Sequence, residues 1–193
     1  MAAAGPFIQN VKVSFTEVST SPGVETIKFL DASSCLIELF DILGSTAFAP
    51  VKSDLSGNIA KLQKRYDAAP EQSKTLQELV LAERAEKKKE ATEGLVWLLR
   101  GLDFTARGLR HNLENKTEEL AVSFQHAYDG TLKQHHNFVV KGIFSVALKA
   151  TPYRKDFYPK VGADGDIKEW LEALEKNVTI LQTFYETTPE TKF

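Results

Sequence analysis

The fold is decided by residues 50–66, which read Pro50-Val-Lys-Ser-Asp-Leu-Ser-Gly-Asn-Ile-Ala-Lys-Leu-Gln-Lys-Arg-Tyr66. Pro50 suits the first turn of a helix. Asp54, Asn58 and Lys61 follow at i, i+4 and i+7, so at about 100° per residue they fall within roughly 60° on one helix face. An acid, an amide and an ammonium in one column suit a polyhydroxylated ligand. The alternative is an ordinary solvated face.

Composition indicates a globular protein and argues against several functions. The chain has 193 residues, of which 42% are hydrophobic and 26% charged, with a net charge of −2. This balance gives no basic field, so nucleic acid is not expected as a partner. The single cysteine, Cys35, permits no disulfide and is expected to be a core thiol. With no signal peptide and no apolar run of about 20 residues, a cytoplasmic protein is predicted.

Apolar spacing predicts an all-α protein of about seven to eight helices in one domain, residues 24–193, preceded by an N-terminal arm, residues 1–23. Within the arm, the candidates for packing are Val11, Val13 and Phe15. The main predicted helices cover 24–44, 50–66, a segment from 73, a central apolar helix from 92, an uninterrupted helix over 118–150, and 167–185. Gly44 is a natural stop for the first of these. Gly57, inside the helix of 50–66, suggests close approach by a ligand or a neighbouring helix.

Two further side chains are candidates for a site. Trp97 lies in the central helix. His136 falls in the apolar stripe of the predicted helix 118–150, whereas His135 lies about 100° away, so periodicity selects His136 as the inward histidine. A hydrogen-bonded core histidine is the alternative. A sugar would use such a set, because its hydroxyls bind Asp, Asn and Lys while its apolar face stacks on an indole.

Sequence patterns for catalysis are missing. There is no Gly-rich phosphate loop, His-Glu-x-x-His motif or nucleophile elbow, so no enzyme and no cofactor are expected. The pair His135 and His136 is not expected to hold a metal, because adjacent helical side chains point in different directions.

Several motifs resemble the glycolipid transfer protein family. They are Val-Lys-Ser-Asp-Leu-Ser-Gly-Asn-Ile-Ala-Lys (51–61), Trp-Leu-Leu-Arg-Gly-Leu-Asp-Phe (97–104), His-Asn-Phe-Val-Val-Lys-Gly-Ile-Phe (136–144) and Ala-Thr-Pro-Tyr-Arg-Lys-Asp-Phe (150–157). The similarity runs from about Val24 to Tyr185 and is greatest to fungal members. It implies a two-layer helical sandwich that binds one glycosphingolipid and carries it between membranes without energy input.

The resemblance also implies roles for particular residues. Asp54, Asn58, Lys61 and Trp97 would hold the sugar headgroup, and Asp54 and His136 would hold the ceramide amide. The hydrocarbon chains would enter a pocket made by Leu36, Leu39, Phe40, Phe48, Val51, Phe144, Ala147 and Leu148. Membrane contact is expected at Phe138, Tyr153, Tyr158, Lys141, Lys149, Arg154 and Lys155, although some members have tryptophan at the position of Phe138.

Alternatives within and beyond this family remain. The ceramide-1-phosphate branch replaces the asparagine and the tryptophan with basic residues, so Asn58 and Trp97 favour the sugar branch. A glucosyl-, galactosyl- or lactosylceramide ligand, a transient membrane surface and a monomeric state are expected. The protein could instead be a glycosphingolipid sensor that signals through a partner, or a helical interaction module with a filled core.

Overall fold

The computed structural model describes residues 5–191, and this part of the chain is helical without a β-strand. Its only extended pairing is an isolated bridge between Glu25 and Thr75. The α-helices are α1 (Phe7–Asn10), α2 (Thr26–Ile37), α3 (Leu39–Gly44), α4 (Ala49–Ala68), α5 (Leu76–Ala85), α6 (Glu90–Glu114), α7 (Leu120–Gly130), α8 (Phe138–Lys149), α9 (Arg154–Val161) and α10 (Asp164–Thr187). The all-α prediction is confirmed. No helix within residues 5–191 combines the length and hydrophobicity that a bilayer span requires.

Helix α6 is the central element, as its apolar sequence predicts, and it packs against α4, α5, α7 and α10. Three glycines recur every seven residues along it and allow neighbours to approach. A Cβ at Gly101 would lie 2.6 Å from a methyl of Leu55 on α4, and one at Gly108 would lie 2.6 Å from the ring of Phe124 on α7. The sequence of α6 therefore sets how closely α4 and α7 can pack.

A buried carboxylate fixes the start of α6. Glu83 is 3% exposed, and its two oxygens accept hydrogen bonds from the backbone N–H groups of Ala91 and Thr92 at 2.9 and 2.7 Å. A negative charge at a helix N-terminus is favourable because unpaired N–H groups and the helix dipole converge there. The hydroxyl of Tyr185 donates to the carbonyl of Thr92 at 2.8 Å and ties α10 to the same turn.

The uninterrupted helix predicted for residues 118–150 is wrong. The segment forms α7, then a 3₁₀ turn at Lys133–His135, then α8. Helix α7 ends at Gly130, and α8 restarts after Asn137, whose side-chain oxygen accepts the N–H of Val140 at 3.0 Å. Glycine lowers the cost of ending a helix and asparagine is a strong N-cap, so local chemistry overrode the continuous apolar stripe.

The helix predicted for residues 24–44 is also divided, into α2 and α3, at Glu38. Its predicted stop is confirmed, because α3 ends at Gly44 with a φ of 134°, a conformation that favours glycine. Cys35 is buried, as expected.

The N-terminal arm packs onto the helical domain over its described part. The rings of Phe7 and Phe15 meet Trp170 of α10 edge-on at centroid distances of 5.9 and 5.8 Å. Phe15 is 1% exposed, as its predicted packing requires. Residues 1–4 of the predicted arm lie outside the described residues.

Candidate functional site

Asp54, Asn58 and Lys61 form one connected column on α4, as their spacing predicts. Lys61 donates through Nζ to Asn58 Oδ1 at 3.0 Å, and Asn58 donates through Nδ2 to Asp54 Oδ2 at 3.3 Å. Asn58 is buried, whereas Asp54 and Lys61 reach solvent. The column therefore offers a charged acceptor at one end and a charged donor at the other.

The column borders a cavity of about 440 Å³, which falls in the size range of small-ligand sites. This cavity also contains Trp97 and His136, so one space brings together all five candidate headgroup and amide residues. The full lining is Pro50, Val51, Asp54, Leu55, Asn58, Lys61, Trp97, Gly101, Leu132, His135, His136, Asn137, Val140, Ile143 and Phe144.

Trp97 presents its indole to this cavity from α6. The guanidinium carbon of Arg100 lies 4.5 Å from the indole centroid and covers part of the ring system. The ring of His136 is nearly parallel to the indole, with 9° between the planes and 6.3 Å between the centroids. The tryptophan is half-buried, so its surroundings hold the ring while leaving part of it accessible.

His136 reaches the cavity from an extended residue between the 3₁₀ turn and α8, with φ −98° and ψ 138°. Its inward position matches the prediction, but the continuous helix on which that prediction was based does not exist. His135 lines the same cavity, contrary to the prediction that it faces elsewhere. Both rings lie near Trp97, since the His135 and Trp97 centroids are 6.1 Å apart.

Tyr128 orients His136 and was not singled out from the sequence. Its hydroxyl lies 3.2 Å from Nδ1 of His136, and its ring stacks on Phe144 at 4.7 Å. When the hydroxyl donates to Nδ1, the imidazole proton resides on Nε2 and can be donated to a ligand. An aromatic residue on an apolar helix stripe is usually a core residue, so the sequence gives no signal for this role.

The charge states suit an acceptor at Asp54 and a neutral donor at His136. Burial raises the pKa of Asp54, while the charge of Lys61 and the hydrogen bond from Asn58 oppose this shift. Burial lowers the pKa of His136, and the positive charges of His135, Lys141 and Arg100 add to the effect. His136 is thus predominantly neutral at pH 7.

The residues expected to hold hydrocarbon chains are all buried, but most do not face the cavity. Val51 and Phe144 line it. The others pack into the adjoining core; they are Leu36, Leu39, Phe40, Phe48, Ala147 and Leu148. The rings of Phe40 and Phe48, for example, are 5.5 Å apart at their centroids. Six of the eight side chains thus pack within the core and do not line the cavity.

Helix α8 exposes an apolar face beside the cavity, which we call the α8 face: Phe138, Val139, Ile143 and Val146. Their exposed fractions run from 40% for Ile143 to 90% for Phe138. Tyr153 is also exposed, as are Lys141, Lys149 and Lys155. Of the apolar side chains on the α8 face, only Phe138 was predicted to contact a membrane.

Two residues expected at the membrane surface, Tyr158 and Arg154, are half-buried and hydrogen-bonded to the same buried residue. The hydroxyl of Tyr158 donates to Oδ1 of the buried Asn112 at 2.9 Å, and Arg154 donates to the same oxygen and stacks over the Tyr158 ring at 4.4 Å. Burial raises the pKa of Tyr158 to about 12. The polar groups of Tyr158 and Arg154 are therefore engaged in this network, which leaves as exposed members of the predicted set Phe138, Tyr153, Lys141, Lys149 and Lys155.

The expectation that a neighbouring helix approaches Gly57 is wrong, because a Cβ there would meet no protein atom within 4 Å. The glycine that matters for the column is Gly94 on α6. A Cβ at Gly94 would lie 3.3 Å from Cδ of Lys61 and 3.6 Å from the carbonyl oxygen of Asn58. Gly94 thus lets α6 approach the polar column.

The fold and the cavity define an all-helical protein with an amphipathic ligand site, and comparisons identify its family. Residues 24–163 match the family model Glycolipid transfer protein (GLTP). A protein from Aureobasidium melanogenum named Glycolipid transfer protein is 54% identical over 93% of this chain and 92% of its own length. The chain belongs to the glycolipid transfer protein family.

Two further similarities support the fold and the family. The crystal structure of HET-C2, a fungal glycolipid transfer protein, superposes with a TM-score of 0.92 at 46% identity, covering 97% of this chain and all of that one. This match confirms the predicted two-layer fold. Human pleckstrin homology domain-containing family A member 8 is 36% identical over 93% of this chain, which spans 38% of that longer protein.

Proposed function

We propose that this protein binds one glycosphingolipid in the cavity and carries it between membranes without energy input. The observation that supports it best is the convergence of the Asp54–Asn58–Lys61 column, Trp97 and His136 on one cavity. Support also comes from relatives: the fungal proteins above are named glycolipid transfer proteins, and a structure of FAPP2, which selects simple glycosphingolipids, is similar at 34% identity and a TM-score of 0.84.

The sugar headgroup binds across α4 and α6. Its apolar face stacks on the accessible side of the Trp97 indole, where C–H groups meet the negative ring face. Asn58 and Lys61 bind hydroxyl groups, and Asp54 accepts from one more. Because these polar groups already bond one another in a column, they are positioned before the sugar arrives.

The ceramide amide binds where Asp54 and His136 face the same cavity. The carboxylate of Asp54 accepts the amide N–H. His136 donates from Nε2 to the amide carbonyl, and the hydroxyl of Tyr128 at Nδ1 keeps the proton on the side that is needed. Tyr128 is thus a positioning residue. A ligand without an amide loses both hydrogen bonds, which costs affinity.

The hydrocarbon chains enter past Val51 and Phe144 into the apolar core behind the cavity. Side chains that pack against one another in the core then separate to line a compartment; they are Leu36, Leu39, Phe40, Phe48, Ala147 and Leu148. Such a compartment is needed because each methylene exposed to water costs about 0.8 kcal/mol. Transfer needs no other energy source, since the lipid equilibrates between membranes through the carrier.

Uptake and release occur where the α8 face touches a membrane. Phe138, with Tyr153, inserts among headgroups, and Lys141, Lys149 and Lys155 lie close to lipid phosphates. Each basic side chain near an anionic surface contributes about 1 kcal/mol. The contact is transient, because a few side chains anchor a protein far less firmly than a membrane-spanning helix does.

A vesicle-to-vesicle transfer assay tests the proposal. Donor vesicles would contain glucosyl-, galactosyl- or lactosylceramide, with sphingomyelin and ceramide-1-phosphate as comparisons. We expect transfer of at least one glycosylceramide and little of the two phosphate-containing lipids. Binding of a glycosylceramide without transfer would overturn the carrier function in favour of a sensor, and no binding of any lipid would indicate an interaction module.

A further inference from the structure

A second cluster of ligand-type side chains lies at the turn between α6 and α7. His111 in the last turn of α6, Glu118 in the connection and His126 on α7 each place one ligand atom within 4.8 Å of the others. Nε2 of His111 is 2.7 Å from Oε2 of Glu118, and Nε2 of His126 is 3.9 Å from Oε1 of the same carboxylate. The imidazole centroids are 5.2 Å apart.

This cluster is separate from the glycolipid site. His111 follows Trp97 by 14 residues on the same helix, a rise of about 21 Å. None of the three residues lines the cavity of Asp54 and Trp97.

We propose that His111, Glu118 and His126 bind one Zn²⁺ ion, with a fourth position left for water. Two imidazole nitrogens and a carboxylate oxygen are a common ligand set for zinc with an open position. Metal–ligand distances near 2.1 Å imply ligand atoms about 3.4 Å apart in a tetrahedral site. The observed distances of 2.7 and 3.9 Å, which join the two imidazoles to different oxygens of the Glu118 carboxylate, lie on either side of this value.

The surrounding residues hold the carboxylate in place and leave the imidazoles free to adjust. Ser123, fully buried, donates to Oε2 of Glu118 at 3.0 Å, and the buried Asn112 donates to Ser123 Oγ at 2.8 Å and to the Glu118 carbonyl at 2.9 Å. Such support orients a metal ligand. The side chain of Glu118 is 21% exposed, against 40% for His111 and 63% for His126.

The alternative is that His111 and Glu118 form only an ion pair, with His126 nearby. That arrangement would bind no metal and would not depend on His126. The two explanations differ in one measurable property, the affinity of the intact protein for Zn²⁺ when His126 alone is removed.

Calorimetric titration of the full chain, without an added histidine tag, with ZnCl₂ tests the proposal. We expect one Zn²⁺ per chain, no competition from Mg²⁺, which prefers oxygen ligands, and an affinity reduced at least about tenfold in His126→Ala and in Glu118→Gln. His126 is largely exposed, so its replacement leaves the fold intact. His135→Ala, which removes a histidine from the other site, is expected to bind Zn²⁺ as the wild type does.

Three results would overturn the zinc site. They are no Zn²⁺ binding by the wild type, unchanged affinity in His126→Ala, or a loss in His135→Ala as large as the loss in His126→Ala. Circular dichroism of each variant shows whether an affinity change comes from unfolding; if Glu118→Gln proves unstable, the comparison of His126→Ala with His135→Ala still decides.

Discussion

Single residues carry most of the proposed specificity, and Trp97 is the residue at which this can be tested most directly. We expect Trp97→Ala to reduce glucosylceramide transfer at least about tenfold, because stacking contributes about 0.5–1.5 kcal/mol beyond the buried area and 1.4 kcal/mol is a factor of ten. The fold should persist, since the side chain is only half-buried. Trp97→Phe keeps a flat aromatic face and should retain part of the activity. Normal transfer by Trp97→Ala would remove Trp97 from the site.

The carboxylate of Asp54 makes lipid binding sensitive to acid. The amide N–H needs the charged form, so affinity is full above the pKa of Asp54 in the free protein and falls as the pH drops through it. Burial raises this pKa above the ordinary aspartate value of 3.8, so the loss of affinity begins at a higher pH than it would for an ordinary aspartate. Tryptophan fluorescence titrations with a short-chain glucosylceramide between pH 7 and 4 measure it. Asp54→Asn should lack this phase; an identical pH profile in that variant would assign it to another group.

Residue spacing alone predicted the α4 column, because i, i+4 and i+7 side chains must share a face once the helix forms. Periodicity placed His136 on the inward side and it lines the cavity, but so does His135, and the continuous helix behind that argument does not exist. Tyr128 and Gly94 could not have been found in this way, since their roles depend on the packing of other helices against them.

At the scale of elements, α8 is the helix whose sequence is hardest to explain by packing alone. Val146 is 68% exposed on it, whereas Val122, 45% exposed, belongs to α7. We expect Val146→Glu to weaken sedimentation with vesicles roughly tenfold, because burying a valine contributes about 1.5 kcal/mol or more. Val122→Glu is the matched control and should bind vesicles normally. Equal effects of the two changes would place the membrane contact elsewhere.

Replacing a glycine by alanine should change the free energy of unfolding in opposite directions on α6 and on α4. Gly108→Ala should lower the free energy of unfolding by about 1–3 kcal/mol, because a Cβ would lie 2.6 Å from the rigid, buried ring of Phe124. Gly57→Ala should raise it by about 0.5–1 kcal/mol, since the site is open and alanine favours helix. Urea unfolding of both variants measures the difference. Stabilisation by Gly108→Ala would mean that α6 and α7 are not closely packed there.

Element boundaries were less predictable than element type. Gly130 and Asn137 carry local signals for ending and starting a helix, and these signals were outweighed in the sequence analysis by an apolar stripe that runs across both α7 and α8. The division of α2 from α3 at Glu38 has no proline or glycine beside it. Only the tertiary arrangement places that break.

At the scale of the whole molecule, lipid binding should stabilise the fold. A glycosylceramide at 100 times its dissociation constant adds about 2.7 kcal/mol to the free energy of unfolding. For a domain of this size that corresponds to a rise in melting temperature of about 5–11 °C. Differential scanning fluorimetry with glucosylceramide, and with sphingomyelin as the control, measures it. An equal rise with both lipids would argue against recognition of the sugar.

The buried packing of the side chains proposed to admit the hydrocarbon chains has a consequence for the timing of transfer. If only molecules with the compartment open can accept chains, then the open fraction multiplies the observed association rate and lowers the apparent affinity by the same factor. At high vesicle concentration, the rate of lipid uptake would no longer increase with vesicle concentration. It would be limited by the rate at which Phe40, Phe48 and their neighbours separate. The packing of six buried apolar side chains would then set the pace of lipid traffic.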